Sequence, residues 1–331
     1  MLQYKDLDDP RVREVIIIGG GVAGLSAAIY LGRAQRDTLV ISSGRSMAHW
    51  EPIVGNYLGF SDGISGDELV RQGRLQAERH DVHFADDRVE ELRAYGTEFV
   101  VRGRKSTYHA KRILLATGIF HLPPEIRGVS ECLGHSMFFC KDCDGIRVRE
   151  KRIAICGAND EAVEYALGML LYSPCVMIAT NGEKPHWSEQ HARWIEEYEI
   201  PVHLGRIHDV EHEERQVLGL HFEDGQEVKI DNIFTTRGDI FHTGLAEQLG
   251  AELDEEGQIK VDAKMRTSVP NVYAAGCVTP ANCQMIIAAG QGATAGQAIN
   301  RDLFEEGLQT HTLRRFRAIQ LLEEETVPEG V

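Results

Sequence analysis

Two cysteines, Cys140 and Cys143, stand two residues apart in the stretch FCKDCDG, residues 139–145, with Asp144 and Gly145 directly after them. That spacing suits three kinds of chemistry: half of a zinc site, a structural staple, or a dithiol that carries two electrons. A tetrahedral zinc site needs four ligands and therefore a second pair at suitable spacing. Cys132 and Cys156 do not form one, so no metal is expected. For a dithiol, reactivity follows thiolate content. A free cysteine, with a pKa near ~8.5, is mostly thiol at neutral pH, and Cys-x-x-Cys geometry beside positive charge or dipoles raises the thiolate fraction. Asp144 adds a carboxyl group able to act as acid and base. The plainer role for an aspartate before glycine is to form a turn.

The elements that must position this pair are legible on both sides of it. In REVIIIGGGVAGLSAAIYLGRAQRDTLVIS, residues 13–42, Val15 to Ile18 is a continuous apolar run, as expected of a buried parallel strand. Gly19, Gly21 and Gly24 follow at GxGxxG spacing, then an alanine-rich helix through Tyr30 and a second strand, Thr38 to Ile41. The first glycine permits the tight turn and the second lets backbone N–H groups approach a pyrophosphate. The third lets the helix pack on the strand, and the helix N-terminus faces the phosphate charge. Between strand and helix this pattern is specific for a dinucleotide. The acidic residue expected about 20 residues on, for a ribose hydroxyl, is absent. Ser42, Ser43, Gly44 and Arg45 stand there, so hydroxyls and backbone would have to serve.

Residues 151–182, KRIAICGANDEAVEYALGMLLYSPCVMIATNG, repeat the plan with a damaged glycine pattern. A strand, Ile153 to Cys156, meets Gly157. Asn159 replaces the second glycine, Ala162 takes the third position, and a second strand spans Cys175 to Ala179. The following TNGEKPHW holds no arginine pair for a 2′-phosphate. RILLATG, 112–118, reads as a buried strand ending in Ala116, Thr117 and Gly118, and VPNVYAAGCV, 269–278, as another ending in small residues. HLPPEIRG at 121–128 and TRGDIFHTG at 236–244 mark the hinges. The expected fold is α/β with two dinucleotide-binding, Rossmann-like domains, the second inserted in the first.

The bulk numbers agree. A chain of 331 residues suggests about two domains at roughly 150 residues each. No apolar run reaches the roughly 18 residues of a membrane helix, and the charged start MLQYKDLDDPRVRE lacks a signal-peptide core. The reading is of a cytoplasmic protein with no membrane association. Seven cysteines do not suggest a secreted disulfide scaffold. A net charge of −16 argues against nucleic acid and against long-range attraction to strongly acidic partners. The basic clusters RGRK at 102–105, RVREKR at 147–152 and LRRFR at 313–317 read mainly as solvated faces.

With these residues in place, the chain resembles the low-molecular-weight thioredoxin reductases over about residues 13–304. GGGVAG resembles the family's FAD loop, VGNYLGFSDGISGDEL at 54–69 its segment beside the flavin, with Asn56 at the family's asparagine, and CKDCDG its redox motif. ATG resembles the crossover strand. NVYAAGCV with CQMIIAAGQGATAGQAI resembles the C-terminal FAD segment, which brings Gly276, Cys277, Gln284 and Met285 to the cofactor. The resemblance implies FAD, a homodimer, and thioredoxin or a similar disulfide protein as partner. It implies that Cys143 faces the flavin, that Cys140 attacks the partner's disulfide, and that Asp144 moves the proton. It implies an FAD-binding domain of residues 1–124 and 243–331, with a tail at 305–331, around a degenerate pyridine-nucleotide-type domain of residues 125–242.

Four departures stand out. Cys277 replaces the family's ribityl-binding aspartate and reads as a small buried filler rather than a third redox group. MAHWEP replaces the usual Gly-Gln beside the flavin, offering His49 or Trp50 to stack on the ring system or to pack in the core. The second nucleotide site has lost its glycine and its arginines. The chain runs about 25 residues past the expected end, with Phe316, Ile319, Leu321 and Leu322 at helical spacing. The third departure resembles a branch of the family that does not use NADPH. Some of its members take electrons from ferredoxin; others, the diflavin-linked disulfide oxidoreductases, hold a second FAD. Two rivals remain: a dithiol oxidase using oxygen, whose relatives tend to carry histidine where Asp144 stands, and a flavin redox sensor without turnover.

Overall fold

The computed structural model describes residues 11–313. In chain order its elements are β1 (Val12–Ile18), α1 (Val22–Arg33), β2 (Thr38–Ser42), α2 (Gly66–Glu78), β3 (His83–Asp86), β4 (Val89–Tyr95), β5 (Glu98–Gly103) and β6 (Thr107–Leu115). Then come β7 (Ile119–His121), β8 (Met137–Phe138), α3 (Lys141–Asp144), β9 (Ile153–Cys156), α4 (Asp160–Met169), β10 (Val176–Ala179), α5 (Glu189–Glu197) and β11 (Val202–His203). The remainder are β12 (Ile207–Glu213), β13 (Gln216–Phe222), β14 (Glu227–Lys229), β15 (Asn232–Thr235), β16 (Asp239–Phe241), α6 (Gly244–Gln248), β17 (Val272–Ala274) and α7 (Met285–Gln309).

The apolar run of β1 is buried on both faces because it lies between helices and a second layer. With a period of two, Val15 and Ile17 point to one side and Ile16 and Ile18 to the other. Val15 and Ile17 pack with Ala27 and Leu31 of α1 and with Ala295 and Ile299 of α7. Ile16 and Ile18 pack with Leu92 of β4, Val101 of β5 and Ala246 of α6. The sheet order is β3-β2-β1-β6-β5-β4, with β17 also on β6. Strands β3, β2, β1, β6 and β17 run parallel, and β4 and β5 add antiparallel pairings. Strand β6 is shared along its length: its first half pairs β5 and its last three residues pair β17.

A second sheet, β11-β10-β9-β15-β8, is parallel throughout, and β12-β13-β14 forms an antiparallel sheet of its own. The two parallel sheets are linked where the chain passes out and back. β7 pairs antiparallel with β16, Thr117 Oγ1 donates to the His242 carbonyl at 2.7 Å, and the His242 N–H donates to the Gly118 carbonyl at 3.1 Å. The sheets are thus of the doubly wound, Rossmann type that the sequence predicts. Element ends differ by a residue or more: the first helix runs on to Arg33, β6 stops at Leu115 and β10 begins at Val176. The helix expected at Phe316–Leu322 lies outside the described residues. Among the described residues no helix is long and apolar enough to cross a membrane.

Candidate active site

Ligands of parallel α/β sheets bind outside the carboxyl ends of the strands, and here two such edges meet. At the first, β1 ends in Gly19–Gly24, β2 in Ser42–Arg45, β6 in Ala116–Gly118 and β17 in Gly276 and Cys277, with Gln284 and Met285 at the start of α7. At the second, β8 runs straight into Phe139 and Cys140. The predicted cofactor residues and the cysteine pair therefore belong to different sheets. Gln284 joins them: its Nε2 donates to Cys140 Sγ at 3.4 Å and to Cys143 Sγ at 3.2 Å. Its Oε1 accepts from Asn56 Nδ2 at 3.0 Å.

Cys140 and Cys143 are joined as a disulfide. Cys140 is the N-cap of α3, and its sulfur accepts the Cys143 backbone N–H at 3.1 Å. In the reduced state the same donors favour thiolates at these positions, since hydrogen bonds to charged acceptors are the stronger ones. Asp144 is 3% exposed and accepts from Arg147 Nη1 at 2.6 Å. Burial raises its carboxyl above the usual range, against the Arg147 guanidinium, which lowers it. Arg147 is itself held by the Gly134 carbonyl at 3.2 Å and lies 4.8 Å over the Phe138 ring.

Sequence reasoning missed Glu51. Burial pushes its carboxyl up to about 7, the Asp144 charge adds to this, and Arg147 and His121 oppose it. A carboxyl pushed up to about 7 and coupled to Asp144, which directly follows the redox pair, is suited to general acid and base work. The only sequence signal was its place in MAHWEP. Of its neighbours there, His49 pairs with Asp67. Trp50 packs edge-on against Phe120 at 5.3 Å and against Phe139 at 5.9 Å. Trp50 and the His121 ring stacked on Phe139 thus brace the residue that precedes Cys140.

Cys277 corrects an expectation. It is not a buried filler: it is half-exposed and disulfide-bonded to Cys283, which is exposed. The signal available was two cysteines flanking one short loop ahead of α7. Three cysteines remain free: Cys132 and Cys156, both buried, and the exposed Cys175. Among the described residues no group of side chains could hold a metal ion.

The two nucleotide loops differ in charge and in occupancy. At α1 the N-cap is Gly21, no side chain caps the helix, and its first turn holds no acid. The helix N-terminus therefore keeps its free N–H groups and positive dipole for an anion. Gly19, at φ +117°, is in a conformation that L side chains rarely adopt, and a Cβ there would lie 2.1 Å from the Ala116 carbonyl oxygen. A Cβ on Gly24 would lie 2.0 Å from the Gly19 carbonyl oxygen. This cradle fits the pyrophosphate of FAD, and at the end of β2 the Ser42 hydroxyl accepts the Gly44 N–H at 3.2 Å. At α4 the Asn159 side chain caps the helix, accepting the Ala162 N–H at 3.1 Å. Asp160 and Glu161 fill the first turn. The loop after β10 folds back, with the His186 N–H on the Ala158 carbonyl at 2.9 Å.

Two parallel-sheet units, one with an open phosphate cradle, and a Cys-x-x-Cys disulfide between them define a flavin-dependent disulfide oxidoreductase. The chain belongs to the pyridine nucleotide-disulphide oxidoreductase family, whose profile matches residues 13–320. It is 31% identical to a thioredoxin reductase of Listeria monocytogenes over 301 residues, covering 87% of this chain and 93% of the relative. It is 29% identical to a thioredoxin reductase of Bacillus subtilis, covering 92% and 99%. Among solved structures it is similar to a putative thioredoxin reductase from Bacillus anthracis, with TM-score 0.82, 28% identity, and 89% and 99% coverage. The enzyme is of thioredoxin reductase type, and its cofactor is FAD. When bound, FAD supplies the electrons that the cysteine pair receives.

Proposed function

We propose that this enzyme reduces thioredoxin or a similar disulfide protein with electrons from a donor other than NADPH, either ferredoxin or a second flavin. The observation that carries this reading is the N-terminus of α4. NADPH would need its pyrophosphate there, yet the Asn159 side chain already takes the Ala162 N–H and Asp160 and Glu161 put negative charge in the first turn. Burial, reinforced by Asp239 and Glu164, raises the Glu161 carboxyl, so its surroundings disfavour further negative charge. A 2′-phosphate is usually met by arginine, and residues 180–188 contain one lysine, Lys184, and no arginine.

In this reading FAD lies on the α1 cradle, held by Gly19, Gly21, Gly24, Ser42, Arg45, Ala116, Thr117, Gly118, Gly276 and Cys277. Asn56, Gln284 and Met285 form the side that meets the cysteines. Cys143 receives the electrons and Cys140 attacks the partner's disulfide. Asp144, with Glu51 beside it, holds and returns the proton. The two parallel sheets support a division into residues 1–124 with 243–331 and an inserted unit of 125–242, and the assembly is a homodimer. The test is steady-state reduction of thioredoxin with NADPH, NADH or reduced ferredoxin as donor. Turnover is expected with ferredoxin and not with either nicotinamide nucleotide. Efficient turnover with NADPH alone would reject the reading.

A further inference from the structure

The Cys277–Cys283 bond sits where a structural staple is least needed and where electrons are close by. It closes a loop of only six residues' separation, and cross-links over short loops restrict the unfolded chain least. Cys277 follows Gly276 at the carboxyl end of β17, and the Gly276 N–H is already fixed by Gln291 Oε1 at 2.8 Å. Thr279 Oγ1 also donates to the Gly276 carbonyl at 2.8 Å. The loop thus has anchors besides the disulfide.

The other end of the loop touches the redox pair. Cys283 is exposed, and the next residue, Gln284, donates to both Cys140 Sγ and Cys143 Sγ. Gln284 is also the N-cap of α7, 25 residues long, so a thiolate on Cys283 would lie at the positive end of a long helix dipole. Such a position lowers a thiol's pKa. Exposed disulfides are the ones that exchange readily, whereas structural ones resist reduction.

Building on the reading above, we propose that Cys277–Cys283 is a second redox-active disulfide, reduced by the Cys140–Cys143 dithiol and offering at the surface a second exit for its electrons, beside direct attack of Cys140 on a disulfide substrate. The exchange balances. The Cys140 thiolate attacks Cys283 Sγ, the Cys277–Cys283 bond breaks, and Cys277 leaves as a thiolate and takes a proton. Cys143 then attacks Cys140 Sγ in the mixed disulfide. The Cys140–Cys143 bond re-forms, and Cys283 leaves and takes the second proton. Two electrons and two protons have moved from the first pair to the second.

The test is anaerobic titration of the FAD-loaded protein with dithionite, followed by acid quench, alkylation with iodoacetamide and peptide mapping of each cysteine. The expected wild-type result is three two-electron couples per chain, with Cys277 and Cys283 alkylated alongside Cys140 and Cys143. In the Cys140→Ser/Cys143→Ser double variant the flavin bleaches while alkylation of Cys277 and Cys283 slows by ~10-fold or more, because exchange depends on the attacking thiolate. A wild-type map with Cys140 and Cys143 reduced but Cys277–Cys283 intact overturns the relay and leaves the proposed function standing. If both pairs stay oxidised beneath a bleached flavin, the proposed function fails and the relay with it. Equally fast reduction of Cys277–Cys283 in the double variant overturns the route.

Discussion

Asp144 and Glu51 are neighbouring carboxyls with different partners, and the difference sets what each can do. Asp144 is paired with Arg147 at 2.6 Å, whereas burial and the Asp144 charge push Glu51 up to about 7. In the fold Glu51 keeps its proton between about pH 4.5 and 7, while in the unfolded chain it has lost it. Its stabilising contribution is therefore fully present below about pH 4.5 and is lost as pH rises through about 7. Glu51→Gln should remove that decline, on the order of 1–3 kcal/mol between pH 5 and 8, as read by urea unfolding at each pH. A parallel pH dependence in wild type and variant would place the titration elsewhere. The same variant should flatten the neutral limb of the pH–rate profile for disulfide reduction. Cys140→Ser should abolish disulfide reduction and leave flavin content, read from the protein's absorbance, unchanged; unchanged turnover would show that Cys140 does not attack the substrate.

The two nucleotide-loop helices show how one element plan serves opposite ends. A Cβ on Gly24 would meet the Gly19 carbonyl oxygen at 2.0 Å, so Gly24→Ala must push α1 off β1 and should empty the FAD site, measured as flavin per chain. The corresponding change at α4, Asn159→Ala, should leave flavin content intact and cost about 0.5–2 kcal/mol of stability through the lost cap, measured by thermal unfolding. Loss of flavin in Asn159→Ala would contradict this division of roles. The β1–α1–β2 and β9–α4–β10 units were legible because strand burial, glycine spacing and helix start are local patterns in the chain. The Cys277–Cys283 bond, the reach of Gln284 to both sulfurs and the environment of Glu51 were not legible. The last two depend on which loops meet at the carboxyl edges of two different sheets, which no local spacing encodes, whereas the disulfide closes a single loop and its two cysteines, six apart, were the only signal. Gln284 was expected at the cofactor from the family pattern, but its contact with the cysteines needed the fold.

At the scale of the molecule, the chain leaves the first sheet near Gly118 and returns at His242, and the two crossings are bonded to one another. The inserted sheet delivers Cys140 and Cys143 to an edge of the first, while its own nucleotide loop is capped by Asn159 and lined by acids. In the proposed reading, a site that keeps the dinucleotide-binding plan but carries the Asn159 cap and two acids in the first turn of α4 leaves reducing equivalents to enter by another route. Anaerobic stopped-flow mixing of the FAD-loaded enzyme with excess NADPH tests this most directly, with flavin absorbance as the signal. The flavin is expected to stay oxidised on the timescale of turnover, while the same sample bleaches with reduced ferredoxin. Bleaching by NADPH at about 1 s⁻¹ or faster, within the usual range of enzyme turnover, would contradict the account and make this an NADPH-driven reductase.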